Sequence, residues 1–175
     1  HVLARVRTTD GVEGVGYVVQ PRGDLMKTIA SGAAELAEYL PGMDIREPEV
    51  IWYTLADRAA WVGPGGLLHW SLAPLDIAVW DALGKSLGQP LFRHLGGYRG
   101  EVPAYASDGM WYSVPIDDLQ RLVAEYAAAG YAGVKLRLSH TATVEEQAAR
   151  VSAARQAAGP MVTLMVDATT GWSYK

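Results

Sequence analysis

Three side chains carry the chemistry that this sequence could do: Lys135, Arg137 and Asp167. In Gly133-Val134-Lys135-Leu136-Arg137-Leu138-Ser139, a period of two puts Val134, Leu136 and Leu138 on one face of a strand and Lys135 with Arg137 on the other. Two cations on a covered face call for an anion, because an uncompensated buried charge is costly. Asp167 closes the run Val162 to Asp167 and shares its parity with Thr163 and Met165, not with Val162, Leu164 and Val166. A lysine is a candidate base and an aspartate a hard oxygen ligand for Mg2+, although one carboxylate alone makes a poor Mg2+ site. Spacing by itself leaves a plainer alternative open, in which the cations form a solvated strand face and Asp167 caps the next helix.

Other signals lead nowhere. Gly84-Lys85-Ser86 ends like a phosphate-binding loop, but Val79 stands where the first glycine is needed and the tripeptide lies in a helical pattern. Gly63-Pro64-Gly65-Gly66 lacks the strand and helix of a dinucleotide fingerprint and reads as a flexible loop between Trp61 and Trp70. His69, His94 and His140 have no ligand spacing, and only His140 follows the Lys-Arg strand. There is no Gly-x-Ser-x-Gly elbow, and without cysteine there is no thiolate nucleophile.

The elements that would position the three side chains alternate in type. Glycine-ended helical runs, Ile116 to Gly130 and Thr143 to Gly159, flank the Lys-Arg strand; with Val102 to Ser107 before and Val162 to Asp167 after, the order is βαβαβ. That order admits a parallel barrel or an open doubly wound sheet. In a barrel, side chains near strand C-termini carry the chemistry. Upstream the grammar differs. His1 to Thr9 and Val12 to Val19 form a hairpin about a two-residue Asp10-Gly11 turn. Helices follow over Asp24 to Leu40 with Asp24 as N-cap, over Glu47 to Trp61 with Pro48 in the first turn, and from Leu67 or Ser71 to Leu87. The last is apolar nearly all round and therefore central. We expect a domain boundary within 88–100.

The 175 residues, half of them hydrophobic, suffice for one ordinary domain or two partial ones. A net charge of −4 with scattered basic residues gives no footprint for nucleic acid. The most apolar run, Leu67 to Leu83, contains His69, Asp76 and Asp81, so a membrane span is not expected. The absence of cysteine excludes disulfides and suits a cytoplasmic setting. No leader pattern opens the chain, His1 has no initiator methionine before it, and three strands leave a sheet unfinished; we expect further residues beyond both ends.

The run from Ser71-Leu72-Ala73-Pro74-Leu75-Asp76-Ile77-Ala78-Val79-Trp80-Asp81-Ala82-Leu83-Gly84-Lys85 through Gln89-Pro90-Leu91-Phe92-Arg93-His94-Leu95-Gly96-Gly97 closely resembles the helix and connector joining the two domains of mandelate racemase/muconate lactonizing enzymes, in the enolase superfamily. The spacing to Lys135, Arg137 and Asp167 fits as well, so the resemblance covers essentially the whole chain. It implies an α+β capping domain over residues 1–97, lacking its first strand, and the first three βα units of a modified (β/α)8, TIM-like barrel over 98–175. It implies Mg2+ as cofactor, with Asp167 as the first of three acidic ligands, and a small-molecule carboxylate as substrate. The implied reaction is removal of the proton next to that carboxylate to give an enediolate. The family is often oligomeric, so a homo-oligomer is expected.

The resemblance also assigns roles. Lys135 matches the first lysine of the family's Lys-x-Lys motif, and Arg137 replaces the second. Arginine stays protonated and is a poor base but a good bidentate carboxylate clamp. A racemase with two opposed bases is therefore less expected than a one-sided reaction, such as dehydration of an acid sugar or related hydroxy acid. Racemases, epimerases, cycloisomerases, a Schiff-base enzyme using Lys135 and a non-catalytic relative are the alternatives. Ser107 and Trp61, the latter on a cap loop, are expected substrate contacts. So is Thr169, where relatives often carry asparagine.

Overall fold

The structure is a computed structural model that describes residues 1–20, 23–63, 65–139 and 141–168. They fall into two compact units, 1–98 and 99–175.

The first unit is a hairpin with helices. Strands β1 (Val2–Arg7) and β2 (Glu13–Val18) pair antiparallel with Ala4 opposite Gly16 and Val6 opposite Gly14. The turn between them is longer than the Asp10-Gly11 pair suggests. Arg7 pairs with Glu13, and the loop of residues 8–12 is closed by Thr8, whose backbone N–H donates to Val12 O and whose Oγ1 accepts from Val12 N. The threonine supplies the closure, so the two-residue geometry is not required.

Helices α1 (Met26–Ala37), α2 (Pro48–Arg58), α3 (Leu67–Ser86) and the short α4 (Leu91–His94) follow, with a 3-10 turn at Ala60–Val62. Two boundaries differ from expectation. Asp24 does not cap α1; Leu25 occupies the cap position at φ 57° and no side chain bonds the helix end. The second helix stops at Arg58 because Ala59 leaves helical geometry, which puts Trp61 in the 3-10 turn. Helix α3 is the organiser of this unit, and its residues Leu68, Leu72, Leu75 and Val79 bury against Leu36, Ile51 and Leu55. Its backbone also lies directly on β2. A Cβ at Gly14 would fall 2.0 Å from Ala78 O, and one at Gly16 2.1 Å from Pro74 O, so only glycine permits this approach. Asp81 of α3 fastens the edge by accepting from Val15 N (2.8 Å) and Lys85 Nζ (2.6 Å).

The second unit contains α5 (Ile116–Ala128), β3 (Gly133–Arg137), α6 (Val144–Ala158) and β4 (Thr163–Asp167). β3 and β4 are parallel, with Gly133 opposite Thr163, Lys135 opposite Met165 and Arg137 opposite Asp167. Residues 102–107, expected to be a full strand, contribute a single parallel bridge from Ala106 to Val134. Pro103 has no N–H to give to a ladder, and only Ala106 bonds on both sides, to Gly133 O and from Lys135 N. The helices cover the Val134, Leu136 and Leu138 face, which is completely buried with Leu119, Val123 and Ala154. Helix α6 starts on a capping box between Thr143 and Glu146. It ends with Arg155 donating to Gly159 O and Val162 O, which steers the chain into β4.

Candidate active site

Burial of the aliphatic face decides where the polar one goes. With Val134, Leu136 and Leu138 turned to the helices, strict alternation sends Lys135 and Arg137 to the opposite face of β3. Parallel register sends Met165 and Asp167 to that same face from β4. Arg137 and Asp167 are the last residues of their strands, so the charged groups gather at the C-terminal end of the sheet. Lys135 Nζ lies 3.5 Å from Asp167 Oδ2, and Arg137 Nε 3.8 Å from the same oxygen. All three side chains are less than a third exposed, at 23%, 31% and 32%, which leaves them reachable by a small solute. At that exposure the pairing contributes little to stability, and among these three groups two cations face one carboxylate, a balance that suits an added anion.

Two aromatic rings complete the face. Lys135 Nζ stands 5.5 Å from the Tyr105 ring centre and Arg137 Cζ 4.0 Å from the Trp111 ring centre. Both rings remain about half exposed. Gly133 begins the row, and a Cβ there would meet Met165 Cε at 2.9 Å, so the glycine leaves room for the methionine that lies opposite Lys135.

The other expected site residues are placed as follows. Ser107 is half-buried and directly follows the bridge residue Ala106, next in sequence to the cluster's first strand position. Trp61 belongs to the first unit and is completely exposed there. Thr169 and His140 lie outside the described residues. Asp167 is a hard oxygen donor of the type Mg2+ takes. Among the described residues no group of three or more acidic or histidine side chains converges as a metal site, so Asp167 can supply one oxygen of such a site.

The profile of the "Mandelate racemase / muconate lactonizing enzyme, N-terminal domain" matches residues 1–96, and that of the "Enolase C-terminal domain-like" unit matches residues 118–175. The chain belongs to the mandelate racemase/muconate lactonizing enzyme family. Its fold is that family's capping domain followed by the start of an enolase-type barrel. Among curated relatives, L-talarate/galactarate dehydratase of Salmonella typhimurium is 33% identical over 171 residues, covering 98% of this chain and 42% of that protein. The 3,6-anhydro-alpha-L-galactonate cycloisomerase of Streptomyces coelicolor is 32% identical over 174 residues, with 98% and 47% covered. Solved structures agree. A racemase from Streptomyces coelicolor with bound magnesium superposes with a TM-score of 0.86 at 30% identity, over 98% of this chain and 51% of that one. The Salmonella dehydratase liganded with Mg and L-lyxarohydroxamate gives 0.86 at 34%, over 98% and 43%. The chain spans about half the length of the curated relatives it matches.

Tyr105 and Trp111, whose rings flank Lys135 and Arg137, are the members of this face that the sequence alone did not single out. Tyr105 shares parity with Ser107 in the run before the bridge, a signal that was available. Trp111 had none, because it sits in a loop whose path is set by long-range bonds. Met110 is buried and its carbonyl accepts from Arg137 N (3.0 Å), Tyr126 Oη donates to Asp108 O, and Arg150 donates to the Trp111 and Val114 carbonyls.

Proposed function

We propose that this strand-end cluster serves a Mg2+-dependent enzyme that removes the proton α to a carboxylate, and that its reaction is dehydration of an acid sugar or related hydroxy acid. The observation that carries the reading is the convergence of Lys135, Arg137 and Asp167 on one face, within 4 Å of a common oxygen, at strand C-termini. Arg137 is permanently charged and presents a fork to the substrate carboxylate, holding it in one orientation. Lys135 is the member of the cluster that can shed and regain a proton, so it takes the α-proton or, while charged, steadies the carboxylate. Asp167 would hold the metal. Bound Mg2+ would supply positive charge against the negative charge that builds on the carboxylate as the proton leaves. Loss of the β-hydroxyl then needs one proton and yields water, leaving an enol that becomes the keto acid.

The dehydratase reading is supported by the 33% identical Salmonella relative, and a cycloisomerase is the second reading, favoured by the 32% identical Streptomyces relative. Both begin with the same proton removal. The test incubates the intact protein with Mg2+ and a panel of aldaric and aldonic acids in deuterium oxide. We expect solvent deuterium in the product together with a 2-keto-3-deoxy acid, both abolished by chelator. Isomerisation without water loss would select the second reading. Metal-independent turnover with borohydride trapping on Lys135 would overturn both.

A further inference from the structure

Arg150 is nine-tenths buried in the middle of α6, distant in sequence from the cluster, and it is the only buried charged side chain among the described residues. Among the described residues its guanidinium meets no carboxylate. Nη1 donates to Val114 O and Nη2 to Trp111 O at 2.9 Å, while the buried Nε has no partner. Burial pushes its pKa down from the ordinary arginine value, a sign that the site does not repay the charge with a counterion. A loop that needed only closing could be closed by the bond already present, since Val114 N also donates to Trp111 O at 3.1 Å. What the arginine adds is a fixed direction for the residue whose carbonyl it grips. Trp111 carries the ring that lies over Arg137 at 4.0 Å, and Arg137 N in turn donates to Met110 O, so the loop and the strand end are tied on both sides of that ring.

We propose that Arg150 is a positioning residue: by clasping the Trp111 and Val114 carbonyls it holds the Trp111 indole against the Arg137 guanidinium, and thereby limits the directions in which Arg137 can present its donors to an incoming carboxylate. The inference rests on the reading of Arg137 as the carboxylate clamp. A guanidinium donates only in its own plane, so a ring held 4.0 Å from its central carbon restricts how that plane can turn without using a donor. The stack therefore preorganises the clamp and lowers the ordering cost of binding.

The test uses malonate as a plain dicarboxylate, titrated calorimetrically into the intact protein at constant Mg2+, beside the NMR ring-current shift of the Arg137 side-chain protons. The variants are Arg150→Met, Trp111→Leu, their double and Arg137→Met. We expect Arg150→Met and Trp111→Leu each to weaken malonate by about two- to fivefold. The double should lose no more than either alone, because both act through one stack. The ring-current shift should disappear in both single variants. If Arg150→Met fails to fold, Arg150→Lys, which cannot reach both carbonyls with fixed geometry, takes its place with the same expectations. An unchanged shift in the folded Arg150 variant, or additive losses in the double, would overturn the proposal. If Arg137→Met binds malonate like the wild type while the shift still vanishes without Arg150, the clamp reading fails and the positioning by Arg150 stands.

Discussion

Arg137 and Asp167 are register partners at the ends of adjacent parallel strands, and their side chains meet on the same face with Nε 3.8 Å from Oδ2. Lys135 reaches the same oxygen diagonally from one pleat back, at 3.5 Å. The carboxylate is thus shared between a permanent cation and a titratable one, and each can be altered separately.

Replacing Asp167 with asparagine keeps the shape and removes the charge. We expect Mg2+ affinity to fall by at least about tenfold and turnover to be lost, with far-UV circular dichroism unchanged. Calorimetric titration with Mg2+ checks it, and wild-type affinity in the variant would remove Asp167 from the metal site.

Lys135 and Arg137 should fail differently. Lys135→Ala removes the titratable member and is expected to abolish exchange of the α-proton with deuterium oxide. Arg137→Lys keeps the charge but loses the fork, so KM should rise by about tenfold or more while exchange persists. Steady-state kinetics alongside exchange monitored by NMR separates the two, and equal defects in both assays would refute the division of roles.

Two glycines offer a contrast in packing. At Gly16 an alanine methyl would collide with backbone, the Pro74 carbonyl at 2.1 Å, and neither hairpin nor helix can yield without separating. At Gly133 the first obstacle is the mobile end of Met165 at 2.9 Å, which can swing away. We therefore expect Gly16→Ala to cost about 3 kcal/mol or more and Gly133→Ala about 1 kcal/mol, measured by urea unfolding. Similar losses at both positions would contradict the view that α3 lies on the strand backbone.

Two aspartates of α3 should respond to pH with opposite signs. Burial raises the pKa of Asp76, so its ionised form opposes folding. That cost is fully present above the raised pKa and fades as pH falls through it toward the unfolded value of about 3.9. At Asp81 burial pushes upward as well, but hydrogen bonds from Lys85 and Val15 N and the Lys85 charge outweigh it, and the pKa is lowered. Its contribution is present above the unfolded pKa and is lost as pH falls through the folded one. Asp76→Asn should raise the melting temperature at pH 7 and Asp81→Asn should lower it, with both differences shrinking in acid. A pH-independent difference for either variant would refute its linkage.

Much was legible in the amino-acid order alone. Alternation at Val134, Leu136 and Leu138 fixed which face of β3 the cations would occupy, because a strand repeats every two residues whatever surrounds it. The same rule gave Asp167 its face, and helical spacing with proline and glycine punctuation located the helices, although the cap of α1 and the end of α2 moved where local backbone geometry overrode side-chain propensity. Residues 102–107 alternate like a strand yet bond only at Ala106, since pairing depends on a neighbour's free groups and not on the segment's own pattern.

What only the tertiary structure decided is the register and the company of the charged groups. Periodicity cannot slide one strand against another, so it could not say that Asp167 lies opposite Arg137 while its carboxylate comes closer to Lys135 than to Arg137. Nor could it bring Trp111 over Arg137 or Arg150 beneath Trp111, because those contacts join a loop, a strand end and a helix through bonds between residues 26 to 39 positions apart. Local sequence sets what each residue can do and which way it faces; the closing of distant segments on one another sets which residues act together.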